Sequence, residues 1–126
     1  MAELTAKKIV RQVNSKDDNI GILGLSFKPD SDDVRDSPAA RIINSLRKEG
    51  YNNIYAFDPL AINEFKNVYD ISVNYSESVH ELCEKCGTVA LITAWDEFIG
   101  IDNAFPNTHF IDCRYFLDKW LSNNLE

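Results

Sequence analysis

Short apolar runs alternate with amphipathic stretches along this chain. Runs bounded by turn-forming residues predict buried strands, and here they cover residues 19–25, 53–57, 71–74, 88–93 and 109–112. Apolar strands that alternate with helices indicate a mostly parallel sheet, whose right-handed crossovers place helices on both faces. The pattern therefore predicts a doubly wound, five-stranded, Rossmann-like α/β fold.

A helix is predicted to begin at Ser37-Pro38, because serine is a good N-cap and proline suits the first helical position. Apolar residues then recur at the spacing of one helix face: Ala39, Ile42, Ile43 and Leu46. Gly50 follows a basic last turn and is suited to a C-terminal cap.

Four further segments have helical features. Residues 76–85 predict a helix capped by Ser76, and residues 102–105 predict a helical turn. An amphipathic segment, residues 115–121, follows the last strand. Residues 2–18 are polar with a thin apolar stripe, so we interpret residues 1–18 as the end of a connector helix and residues 19–126 as the domain it leads into.

Composition is that of one soluble globular domain, since the chain has 126 residues, 44% apolar and 26% charged. Its net charge of −7 and dispersed basic residues disfavour nucleic acid and anionic membranes as partners. No apolar run is long enough to cross a bilayer and no signal segment is recognisable, so we expect a cytoplasmic location.

The three cysteines are expected to be reduced thiols, because their number is odd and no export signal is present. The Cys83-x-x-Cys86 pair lies in a predicted helix, where we expect one core-facing and one partly exposed thiol rather than a redox pair. Cys113 precedes Arg114, a cation of the kind that lowers a thiol pKa.

The candidate chemistry lies in the long loop after the first strand, because ligands of open α/β sheets bind at the carboxyl ends of strands. This loop lacks the tight G-x-G-x-x-G turn, so a diphosphate would have to be held by Lys28, Arg35 and backbone N–H groups. The alternative is that both cations only neutralise the nearby acidic residues, Asp30, Asp32, Asp33 and Asp36. The spacing of these aspartates does not follow the calcium-loop pattern, and we predict no metal site.

The string GLSFKPDSDDVRDSPA, residues 24–39, resembles the signature that opens the C-terminal UDP-binding domain of the UDP-glucose/GDP-mannose dehydrogenase family. Three further matches follow in order: AFDP at 56–59, LITAWDEF at 91–98 and FIDCRYFLD at 110–118. The resemblance implies that residues 19–126 bind the UDP-sugar of an NAD-dependent enzyme that oxidises the sugar C6 alcohol to a uronate.

The resemblance also implies roles for individual residues. Phe27 and Lys28 are expected to contact the UDP part of the substrate, and Arg114 to lie near the substrate. Arg35 is expected to reach NAD, which the family binds mainly through an N-terminal domain. The family's catalytic cysteine belongs to a preceding domain, so no catalytic residue is expected here and the chain alone should be inactive. Expected partners are the other domains of the enzyme and further copies in a homodimer or higher oligomer.

The strings Phe-Lys-Pro and Trp-Asp-Glu-Phe favour the UDP-glucose branch over the GDP-mannose and UDP-N-acetylmannosamine branches, which stay open as alternatives. The chain departs from the family pattern at Ala94, where glutamate is usual, and at Asp36, where glutamate is commoner. A different class of function is a free-standing nucleotide-binding or regulatory module without redox activity, which would use the same Lys28 and Arg35.

Overall fold

The computed structural model describes residues 2–113. Its strands are β1 (Ile20–Leu23), β2 (Ile54–Phe57), β3 (Asn74–Tyr75), β4 (Thr88–Leu91) and β5 (His109–Asp112). They form one sheet in the order β3-β2-β1-β4-β5, and every neighbouring pair is parallel. The prediction of a five-stranded parallel sheet is confirmed.

Helices cover both faces of the sheet. They are α1 (Ala2–Arg11), α2 (Pro38–Lys48), α3 (Ile62–Tyr69), α4 (Val79–Lys85) and α5 (Ile101–Ala104), with a short 3-10 helix at Asp96–Phe98. Ile20 and Ile22 of β1 pack in one core cluster with buried residues of α1, α2 and α3. Leu23 belongs to a second cluster, with residues of α4, α5 and the 3-10 helix. Successive strand residues thus serve opposite faces, and the doubly wound prediction is confirmed.

Helix α2 has the ends that the sequence predicts. The Ser37 Oγ accepts the N–H of Ala40 at 3.4 Å, and proline occupies the first turn. At the other end, Gly50 has a φ of 95°, its N–H donates to the Arg47 carbonyl, and the Tyr51 N–H donates to the Leu46 carbonyl. These two bonds satisfy carbonyls that the end of the helix would otherwise leave unpaired.

Helix α3 and strand β3 differ from the sequence prediction. The sequence predicts no element at residues 62–69, where the structure has α3; only Phe65 of this helix is fully buried, so its apolar stripe is thin. The third strand was predicted at 71–74 but lies at Asn74–Tyr75, since β2 offers Tyr55 and Ala56 as its partners. Ile71 instead packs in the core ahead of the strand.

Two helix ends also differ. Helix α4 is capped by Ser78 rather than Ser76, because the Ser76 N–H continues the sheet by donating to the Ala56 carbonyl at 2.8 Å. Helix α1 ends at Arg11 rather than 18, and the Asp18 carboxylate accepts the N–H groups of Asn14 and Ser15 in a turn. None of the helices within residues 2–113 has the length and apolar character needed to span a bilayer.

Candidate functional site

The strand order reverses between β1 and β4, so the loops that follow these strands lie side by side at the carboxyl edge of the sheet. We call residues 24–37 the β1–α2 loop. It begins at Gly24, whose φ of 101° favours glycine and where a Cβ would lie 2.5 Å from the Thr93 backbone nitrogen. Beyond this close approach, the Thr93 Oγ1 donates to the Ser26 carbonyl at 2.6 Å. The β1–α2 loop is therefore attached to the segment after β4.

A buried carboxylate attaches the same loop to the end of β2. Asp58 is 2% exposed, and its Oδ2 accepts the N–H groups of Leu25 at 2.7 Å and Ser26 at 3.0 Å. Its Oδ1 accepts those of Leu60 at 2.9 Å and Ala61 at 2.8 Å. Sequence reasoning missed this role; the available signal was the Asp58-Pro59 pair directly after a buried strand, which in the sequence indicates a strand end and a family match but no partner for the carboxylate.

The far end of the β1–α2 loop is held by α3 and by the start of α2. The Tyr69 hydroxyl donates to the Val34 carbonyl at 2.5 Å and accepts the Ser37 N–H at 3.2 Å. The Ser37 Oγ donates to the Leu25 carbonyl at 2.8 Å. Both ends of the loop thus have fixed partners in the surrounding elements.

Phe27 and Lys28, the residues expected to contact UDP, lie on the exposed part of this loop. Phe27 is 49% exposed although it is aromatic, and Lys28 is also exposed. Their backbone is ordered by two bonds: the Phe27 N–H donates to the Asp33 carbonyl at 2.8 Å, and the Ser26 Oγ donates to the Lys28 carbonyl at 2.9 Å. The loop therefore presents an aromatic ring and a cation to solvent from a fixed backbone.

Arg35 is paired with Asp33 through two side-chain contacts, at 3.0 Å from Nε and 2.8 Å from Nη2. These hydrogen bonds lower the pKa of the Asp33 carboxyl to about 2 and raise the pKa of Arg35. The Arg35 side chain is nevertheless 86% exposed. Both residues line an open cavity of about 260 Å³ together with Phe27 and Asp36. A larger cavity of about 520 Å³, between α1 and α2, is lined by none of Phe27, Lys28 and Arg35.

The thiols are not poised for nucleophilic chemistry. Cys83 and Cys86 are each 3% exposed, so the expectation that one of them is partly exposed is wrong. Burial raises the pKa of both to about 12. Burial, with the neighbouring Asp112 charge, also raises the pKa of Cys113 to about 12, opposite to the direction that Arg114 suggested. Arg114 itself and the amphipathic segment 115–121 lie outside the described residues.

The strand order and the loops at its reversal define a Rossmann-like α/β domain with a candidate ligand site at the strand ends. Within this class of domains, residues 21–119 match the family model of the UDP binding domain of the UDP-glucose/GDP-mannose dehydrogenase family. The chain belongs to this family.

Named relatives agree with that membership. The UDP-glucose 6-dehydrogenase of Rickettsia typhi is 42% identical over 108 residues, which cover 80% of this chain and 24% of the relative. The UDP-glucose dehydrogenase structure from Pyrobaculum islandicum has a TM-score of 0.76 at 31% identity, covering 90% of this chain and 25% of that one. The GDP-mannose dehydrogenase of Pseudomonas aeruginosa, with a TM-score of 0.69 at 21% identity over 87% of this chain and 27% of its own, shares the fold. The chain spans about a quarter of the length of these relatives.

Proposed function

We propose that this chain is the nucleotide-sugar-binding domain of an NAD-dependent dehydrogenase that oxidises UDP-glucose to UDP-glucuronate. The observation that carries the proposal is the match to the family's UDP binding domain over residues 21–119, which includes the whole β1–α2 loop. The choice of UDP-glucose is supported by relatives that carry the name UDP-glucose 6-dehydrogenase.

In this proposal Phe27 and Lys28 bind the UDP part of the substrate. The exposed ring of Phe27 offers a flat apolar surface to a base, and the Lys28 ammonium offers a point charge to the diphosphate. Arg114 is proposed as a further substrate contact. Catalytic residues are assigned to the rest of the enzyme, since the three thiols of the described residues have a raised pKa.

Arg35 is the residue that we assign to NAD, the group that accepts hydride from the sugar alcohol. Its guanidinium is exposed and already forms a two-bonded contact with a carboxylate, a geometry that suits phosphate oxygens equally. We propose that another domain of the same enzyme supplies most of the NAD site. We further propose a cytoplasmic homodimer or higher oligomer as the working form.

Titration of UDP into the ¹⁵N-labelled 126-residue chain tests nucleotide binding. One well-placed cation and one aromatic ring correspond to a Kd of about 0.1–1 mM, or roughly −4 to −5.5 kcal/mol. We expect amide shifts concentrated in residues 25–36, smaller shifts with GDP, and weaker binding as salt is raised, because the contact is partly electrostatic. A well-dispersed spectrum that millimolar UDP and UDP-glucose leave unchanged would contradict the proposal.

Replacing Lys28 with alanine tests the assigned cation. A charge-assisted contact is worth roughly 1.5–3 kcal/mol, so Lys28→Ala should weaken UDP binding about ten- to a hundredfold. Lys66→Ala is the matched control, because Lys66 lies on α3 with its Nζ 4.8 Å from the Tyr75 ring centroid and not on the β1–α2 loop. Equal affinities of wild type and Lys28→Ala would remove Lys28 from the site.

A further inference from the structure

Ser26 is a buried residue of the β1–α2 loop on which three hydrogen bonds converge from different parts of the chain. Its N–H donates to the Asp58 Oδ2 at 3.0 Å, its carbonyl accepts from the Thr93 Oγ1 at 2.6 Å, and its own Oγ donates to the Lys28 carbonyl at 2.9 Å. Ser26, Asp58 and Thr93 are all buried. Because Phe27 follows immediately, the position of Ser26 fixes where the exposed part of the loop begins.

We propose that Asp58 and Thr93 are positioning residues for nucleotide binding, which act by holding Ser26 between the ends of β2 and β4. The inference rests on the proposed function, because it assumes that Phe27 and Lys28 contact the nucleotide. Neither Asp58 nor Thr93 touches the ligand in this assignment. They set the backbone from which the two contacting side chains project.

The two oxygens of the Asp58 carboxylate bind different segments of the chain, which supports a role for Asp58 in holding the β1–α2 loop as well as in the turn before α3. Oδ1 accepts the N–H groups of Leu60 and Ala61, which order the chain entering α3. Oδ2 accepts the N–H groups of Leu25 and Ser26 in a different strand-end loop, more than 30 residues away in sequence. A residue needed only to begin α3 would require the first oxygen alone.

The chemistry of this position requires two acceptors. A carboxylate has two acceptor oxygens, whereas an asparagine side chain has one acceptor oxygen and one NH₂ donor of the same shape. If the asparagine oxygen keeps the Leu60 side, its NH₂ faces the N–H groups of Leu25 and Ser26, and donors cannot bond to donors. In that orientation Asp58→Asn removes the attachment of the β1–α2 loop with little change in side-chain volume.

The test compares Asp58→Asn and Thr93→Val with wild type in the UDP titration of the ¹⁵N-labelled 126-residue chain. We expect Asp58→Asn to weaken UDP binding about tenfold and Thr93→Val, which loses one bond at similar volume, about threefold. In the ligand-free spectra the amides of Phe27 and Lys28 should shift in both variants. Should Asp58→Asn fail to fold, Thr93→Val decides the outcome for the pair.

Ser78→Ala is the control for a purely structural role, because it removes the cap of α4, at which the Ser78 Oγ accepts the Glu81 N–H at 3.0 Å. It should lower stability while UDP affinity stays within about twofold of wild type. Folded variants of Asp58 and Thr93 that bind UDP as wild type does would overturn the inference, and the proposed function would stand if Lys28→Ala still weakened binding. Loss of the Lys28 effect as well would instead overturn the proposed site.

Discussion

Arg35 shares its loop with four aspartates, and the structure selects Asp33 as its partner. The sequence could place Arg35 and these acidic residues in one loop, but their spacing could not say which of them pairs. Local backbone hydrogen bonds determine which aspartate pairs with Arg35. The Arg35 N–H also donates to the Asp33 Oδ1 at 3.0 Å, and the Asp33 N–H donates to the Ser31 Oγ at 2.9 Å. These local turns bring the two side chains together.

The Asp33 carboxyl should titrate with a pKa of about 2 in the folded chain, against an ordinary value of 3.8. Because the folded-state pKa is the lower one, the pair stabilises the fold above about pH 4, and this contribution is lost as the pH falls toward 2. Carboxyl ¹³C shifts measured against pH would follow the titration directly.

Arg35→Ala should return the Asp33 pKa toward 3.8, because the hydrogen bonds from Arg35 are the largest cause of the depression. Lys28→Ala serves as the control and should leave most of the depression in place, since the Lys28 charge lowers the Asp33 pKa less than the contacts with Arg35 do. A normal Asp33 titration in the wild type would mean that the pair does not form in solution.

At the scale of elements, hydrophobic periodicity predicts a helix that has a strong apolar stripe of its own. It does not predict elements whose position depends on packing or on register with a neighbouring strand. Helix α2 has a full apolar stripe between Ser37 and Gly50, and the sequence predicted both of its ends. Helix α3 depends on burial of Phe65 between its neighbours, and β3 on register with β2, so neither has a comparable local signal. Asp58 belongs with the second group, because its bonds join loops of different strands.

Gly24→Ala should be strongly destabilising because two effects combine. A φ of 101° is unfavourable for alanine, and the added Cβ would lie 2.5 Å from the backbone nitrogen of Thr93, which cannot move aside without disturbing the end of β4. We expect a loss of about 2–5 kcal/mol in the free energy of unfolding, measured with urea.

Gly87→Ala is the matched control, since a Cβ there meets no atom within 4 Å. Its free energy of unfolding should stay within about 0.5 kcal/mol of wild type. Equal stabilities of the Gly24→Ala and Gly87→Ala variants would show that the close approach between the β1–α2 loop and Thr93 is not maintained in solution.

At the scale of the whole molecule, a chain of net charge −7 is proposed to bind an anionic ligand. The overall field opposes approach of a diphosphate, so binding depends on cations placed locally. The sequence predicts that Lys28 and Arg35 lie on the loop after the first strand, because that loop directly follows an apolar run, and both residues do lie between β1 and α2. It could not reveal that the loop is fixed by β2 and β4, since strand order is set by the packing of the complete sheet.

The 126-residue chain should form no NADH from UDP-glucose and NAD above a blank. Its sequence has no G-x-G-x-x-G turn, and Cys83, Cys86 and Cys113 each have a pKa raised to about 12, so almost none of them is thiolate at neutral pH. NADH absorbance measured beside a full-length UDP-glucose dehydrogenase gives the comparison. NADH formation by the purified chain would assign catalysis to residues within it.

The central position of β1 has a consequence for biosynthesis. A chain that leaves the ribosome from its N-terminus can form β1, α2 and β2 early, because these elements are consecutive. The opposite side of β1 stays without its partner until Thr88–Leu91 has been made. During that interval the nascent chain exposes an apolar strand with free backbone donors and acceptors, which is the kind of edge that pairs with other chains. Translation through the segment between β2 and β4 is therefore a period in which this unpaired edge of the nascent sheet is open to pairing with other chains.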